Sequence, residues 1–103
     1  LQRCGHAIVA RGFRSRYGEI DLIARRGPLV VFVEVKTRTR GGIAPPSAAV
    51  TRAKRARLVR TASLYLARAG WGELPCRFDV IEVEPDGPRW RIRHLRDAFR
   101  PGD

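Results

Sequence analysis

The run Leu29-Val30-Val31-Phe32-Val33-Glu34-Val35-Lys36-Thr37 constrains the fold more than any other segment, because it sets a carboxylate and an ammonium inside an almost continuous apolar stretch. Such a run reads as a strand covered on both faces, the third and central strand of a sheet. A lone carboxylate there loses much of its water, which is costly unless a cation, a metal ion or hydrogen-bond donors compensate it. Upstream, Gly18-Glu19-Ile20-Asp21-Leu22-Ile23-Ala24 mixes acidic and apolar positions, and Arg25-Arg26-Gly27-Pro28 reads as a turn between the two segments.

Side chains alternate along a strand, so Glu34 and Lys36 share a face, and Asp21 joins them if the two strands pair as a hairpin. Two oxygen-rich acids beside one ammonium make a plausible site for magnesium and a phosphodiester. The competing reading is an ordinary ion pair at the end of a strand, with Asp21 facing solvent.

Charge favours the first reading. The chain carries 21 Lys+Arg against 10 Asp+Glu, a formal net charge of +11 in 103 residues. That excess calls for a polyanionic partner such as nucleic acid, bound through release of counterions from its phosphates. A membrane partner fits poorly, since no apolar run approaches about 18 residues. Cys4 and Cys76 are far apart, without CxxC spacing and with only His6 and His94 to supplement them, so neither a disulfide framework nor a zinc site is expected. Reduced thiols and a cytoplasmic location are the expectation. The length allows one small domain with a sheet and one or two helices.

Along the chain, Leu1 to Gly5 reads as the tail of a helix closed by Gly5, most of that helix being missing. Strands are expected over Ala7 to Phe13, Glu19 to Ala24, Leu29 to Thr37, Arg77 to Glu84 and Arg89 to Leu95. The stretch Arg38 to Ser47 reads as a loop, and Thr51 as the N-cap of a helix reaching about Ala69, ended by Gly70 or Gly72. Val59, Ala62, Leu66 and Ala69 form its apolar stripe, with Leu58 and Tyr65 beside it. The helix also carries Arg52, Lys54, Arg55, Arg57, Arg60 and Arg68 with no acid among them. Repulsion that is not relieved locally points to an external anion, and Arg38 and Arg40 extend the basic surface.

Gly18-Glu19-Ile20-Asp21, then Phe32-Val33-Glu34-Val35-Lys36-Thr37-Arg38, then Ala49-Val50-Thr51 with Lys54, and finally Arg77-Phe78-Asp79-Val80 closely resemble the bacterial YraN family. That family is itself similar to archaeal Holliday-junction resolvases of the restriction-endonuclease-like superfamily, whose signature is an Asp followed by Glu-x-Lys. The resemblance implies an α/β fold, a restriction-endonuclease-like mixed β-sheet flanked by helices. It implies that Asp21 and Glu34 hold Mg2+, or Mn2+ in its place, and that Lys36 orients the attacking water or stabilises the phosphate. Its partner would be DNA, branched DNA such as a four-way junction included, bound by a homodimer. Nucleases of this kind often present a further glutamate from the first helix, and this sequence departs there.

Phosphate contacts are expected from Arg38, Arg40, Lys54, Arg55 and Arg57. Glu19 is at least as well read as a structural acid as a ligand, and Asp79 reads as a buried hydrogen-bonding acid. Two alternatives stand beside the endonuclease: a non-catalytic nucleic-acid-binding module on the same fold, and a basic RNA-associated protein whose acids only form ion pairs.

Overall fold

The computed structural model describes residues 5–37 and 51–101. Within them the chain forms β1 (Ala7–Ser15), β2 (Gly18–Arg26), β3 (Leu29–Thr37), α1 (Arg52–Ala69), β4 (Cys76–Asp86) and β5 (Arg89–Phe99). The strands make one sheet in the order β1-β2-β3-β4-β5. All neighbours are antiparallel except β3 and β4, which run parallel. A parallel pair needs a crossover, and α1 is that crossover. The result is an α/β fold with a mixed sheet, consistent with a restriction-endonuclease-like arrangement. The resemblance implied helices flanking the sheet; the described residues contain one helix. The expected helix tail before Gly5 and the expected loop after Thr37 lie outside the described residues, as do Arg38 and Arg40.

The β3 run is the centre of the sheet because both of its faces find apolar partners. Val30 and Phe32 meet Leu58, Ala62 and Leu66 of α1, while Val31 and Val33 pack with Ala24 on the other side. Phe78 stacks on Phe32 at 5.5 Å and on Phe99 at 4.9 Å between centroids. Each such ring pair adds about 0.5–1.5 kcal/mol beyond area burial.

The helix begins as expected, with Thr51 accepting the Lys54 amide, and ends on Gly70 at φ 75°, the left-handed conformation glycine adopts without strain. Its buried stripe is Leu58, Thr61, Ala62 and Leu66. Val59 and Ala69 of the expected stripe are only half-buried, whereas Thr61, not expected on it, is buried because its hydroxyl is satisfied, donating to the Arg57 carbonyl and contacting Ser15 Oγ at 3.1 Å. No helix among the described residues is long and apolar enough to cross a membrane.

Besides a register shift of β1 against β2 between Ile8 and Ala10, two irregularities shape the sheet. Gly12 has φ 61°, and around it Ala10 and Phe13 both reach the helix side, as do Ile20 and Ile23 on β2. Strict alternation would have put one of each pair on the opposite face, so the strands turn their faces between Gly12 and Asp21.

The second irregularity lies at the end of β5, which runs four residues beyond the expected Leu95. Phe78 pairs with Phe99 and Val80 with Leu95, so β5 spends three residues where β4 spends one. Asp97, at φ 51°, sits in that bulge, and its amide donates to Asp79 Oδ1 at 2.9 Å. Asp79, buried as expected, also takes two bonds from Arg77 at 2.8 and 2.9 Å and lies 2.7 Å from His94 Nε2. Burial alone would raise the Asp79 pKa; the Arg77 guanidinium, the Asp97 amide and His94 outweigh it and hold the carboxyl below its usual range.

Candidate active site

Glu34 is the centre of the candidate site. It follows Val30 and Phe32 on the helix side of β3, and its side chain is 9% exposed. The same position brings it under the N-terminus of α1. Lys54 Nζ lies 2.6 Å from Glu34 Oε1, and Lys36 Nζ lies 3.7 Å from the same oxygen. One buried carboxylate oxygen is thus shared by two ammoniums, one from its own strand and one from the crossover helix.

Asp21 arrives from β2. The β2–β3 ladder ends at Leu22 opposite Val33, so Asp21 and Glu34 are the next opposed positions. There the backbone pairing gives way, and Asp21 Oδ2 itself accepts the Val35 amide at 2.8 Å. An acid at this point satisfies a strand donor that would otherwise lack a partner. The face change beside Gly12 accompanies this inward placement of Asp21.

Electrostatics link the four groups. The neighbouring Lys54 lowers the Lys36 pKa most, burial lowers it further, and attraction to Glu34 partly offsets both. Lys54 is shifted the other way: burial opposes its charge, but the hydrogen bond to Glu34 and the fields of Glu34 and Asp21 raise it overall. Both acids therefore act on one ammonium.

The carboxylates also suit a hard divalent ion. Asp21 uses Oδ2 on the Val35 amide and Glu34 uses Oε1 on the lysines, which leaves each acid one oxygen without a bond to a described residue. No cluster of three or more His, Cys, Asp or Glu side chains disposed for a metal occurs among the described residues. A site of two carboxylates suits an ion that keeps several of its waters, as magnesium does.

Glu82 was not singled out in the sequence, although Phe78, Val80 and Glu82 alternate onto one face. The structure buries it to 3% exposure and pairs its position with Lys36 across the parallel ladder. Glu19 pairs its carboxylate with Arg14 at 3.6 Å on the exposed side of β2, and it lines the same cleft as Lys54.

The basic residues are distributed differently from the sequence grouping. Lys54, expected to reach a phosphate, places its ammonium 2.6 Å from Glu34 Oε1. Arg55 lies over the Phe99 ring at 5.5 Å, toward β5, while Arg57 sits by Gly18 at the β1–β2 turn. Residues two apart on a helix point about 200° apart, so these arginines cannot form one patch. On the Arg57 side, a cleft of about 350 Å3 is bordered by Tyr17, Gly18, Thr51, Lys54 and Arg57, with the acid Glu19 also on its wall. Arg16 and Arg60 lie over the Tyr17 ring at 5.0 and 5.7 Å. Lys54 is common to this cationic cleft and to the acid cluster.

The fold and this cluster together define an α/β protein of restriction-endonuclease-like arrangement, with two acids and two lysines meeting at the carboxyl end of its central strand. Residues 1–83 match the model of "Uncharacterised protein family UPF0102". A UPF0102 protein of Symbiobacterium thermophilum is 56% identical over 101 residues, spanning 96% of this chain and 85% of its own length. One from Rhodococcus jostii is 46% identical over 100 residues, with the same coverage of 96% and 85%. One from Nitratidesulfovibrio vulgaris is 44% identical over 99 residues, covering 96% of this chain and 74% of its own. The chain belongs to the UPF0102 family, the YraN family anticipated from its motifs.

Proposed function

We propose that the protein is a magnesium-dependent DNA endonuclease that hydrolyses phosphodiester bonds, with branched DNA such as a four-way junction as its substrate class. The observation that carries this reading is the placement of Glu34, buried beside Asp21 and between two lysines, in a chain of net charge +11. A protein that only binds phosphate has no use for carboxylates beside it, because like charges repel.

Asp21 and Glu34 are the residues that would hold the divalent ion, whose contribution when bound is Lewis-acid activation of the phosphodiester and of water. Lys36, next to Glu34 on the same strand face, offsets the negative charge that grows on the phosphate oxygens in the transition state. Arg57 and the arginines around Tyr17 hold the strand by its phosphates beside the cluster. Matched cuts in a four-way junction need two such centres, so a symmetric dimer accompanies this substrate.

The test is cleavage of linear, flapped and four-way DNA with Mg2+ or Mn2+, with Glu34→Gln as the inactive control. Metal-dependent cleavage lost in that variant supports the reading. The close Lys54–Glu34 contact favours one alternative, a binding module whose acids are permanently neutralised. Binding of DNA without cleavage of any form would establish it instead.

A further inference from the structure

Lys54 occupies an unfavourable place by local rules. It is the third residue of α1, where its amide is bonded to the Thr51 cap, and the first turn contains no acid. Glutamate or glutamine suits that position, because the helix dipole and the free amides there repel a cation. What compensates is tertiary: the Lys54 ammonium lies 2.6 Å from Glu34 Oε1, in the field of Asp21 as well.

We infer that Lys54 is the resident counter-ion of Glu34 and competes with the divalent ion for that carboxylate, holding metal affinity down in the free protein. The inference rests on the metal-dependent reading above and adds a role for Lys54 that phosphate binding does not include. Charge arithmetic supports it. The carboxylates of Asp21 and Glu34 are matched one for one by the ammoniums of Lys36 and Lys54, so a divalent ion meets resident cations at the acids it would bind. Removing Lys54 takes one positive charge from the cluster and relieves Oε1 of its closer partner, and both changes favour a hard cation. Lys36, at 3.7 Å, holds the same oxygen less closely.

The experiment is a titration of Mn2+ into the DNA-free protein, with free Mn2+ read by electron paramagnetic resonance. Lys54→Met is expected to bind Mn2+ about tenfold more tightly than the parent, in line with how ligand charge tunes divalent affinity. Lys54→Arg, which keeps a cation on Glu34, should stay near the parent. Should Lys54→Met fail to fold, Lys54→Gln takes its place. The parent also reports directly: addition of Mg2+ should shift the side-chain nitrogen resonance of Lys54 more than that of any helix arginine. Unchanged or weaker Mn2+ binding by the variant, with the parent binding, overturns the inference and leaves the metal site standing. Absence of Mn2+ binding by parent and variant alike removes both.

Discussion

The Asp21 carboxylate accepts the Val35 amide at 2.8 Å, so a side chain from β2 takes over where the β2–β3 backbone ladder stops. The acid thus has a structural duty, which is separable from the chemical one proposed for it. Asp21→Asn keeps an oxygen for the amide and loses the charge. It should retain nearly all of the parent's stability while losing metal-dependent cleavage. Asp21→Ala leaves the amide without its acceptor and should cost about 1–3 kcal/mol in addition. Urea unfolding of the two variants beside a cleavage assay checks the split.

Lys36→Ala should lower cleavage by about a hundredfold or more, the scale of removing one charge-stabilising group from a transition state. Its effect on DNA affinity should be small, because Lys36 is one of 21 Lys+Arg. Single-turnover rates and binding titrations on the same DNA measure both. A variant that cleaves like the parent would remove Lys36 from the chemistry.

DNA binding should be largely independent of base sequence and should weaken steeply with salt, because arginines supply mainly phosphate contacts. Arg57 makes no ion pair with a described residue, whereas Arg55 rests over Phe99. Arg57→Ala should therefore reduce the slope of log affinity against log salt by about 1, and Arg55→Ala by less. Titrations at several salt concentrations decide this, and equal effects would mean that both face the nucleic acid.

Asp79 should govern acid stability. Its folded-state pKa is depressed, so its contribution is fully present above the ordinary aspartate range and is lost as pH falls through the lower folded value. Asp79→Asn should cost about 2–3 kcal/mol at neutral pH, the scale of losing charge-assisted hydrogen bonds. The difference from the parent should shrink as the solution is acidified. Denaturant midpoints from neutral to strongly acidic pH provide the comparison, and a constant difference would exclude linkage through Asp79.

Much of this architecture was legible because it is local. The β3 run, its turn at Gly27-Pro28 and the Thr51 cap each announce themselves within a few residues. The end of β5 was not legible, because Phe99 returns to the core only through a bulge held by Asp79 from the neighbouring strand. The pairing of Lys54 with Glu34 was not legible, because Glu34 lies on another element and is joined to it only by folding. Arg55 and Arg57 look like a pair in the sequence, yet helical rotation sends them to opposite sides of α1. For Asp21 and Glu34 the hairpin supplied the proximity that alternation anticipated, whereas Glu82 gave its signal only through the phase of β4.

Parallel pairing of β3 with β4 has a consequence for the order in which the chain acquires its properties. Val30 meets Cys76 only after the whole crossover has closed, so the β3–β4 ladder rests on contacts distant in sequence, the kind that slow folding. The arginines keep their charge in any conformation. A chain whose crossover is still open therefore carries the full basic charge without the packed sheet. The nucleic acid proposed above as partner would then bind the unfolded ensemble as well as the native protein, and would stabilise the native state by less than its affinity for that state alone would give.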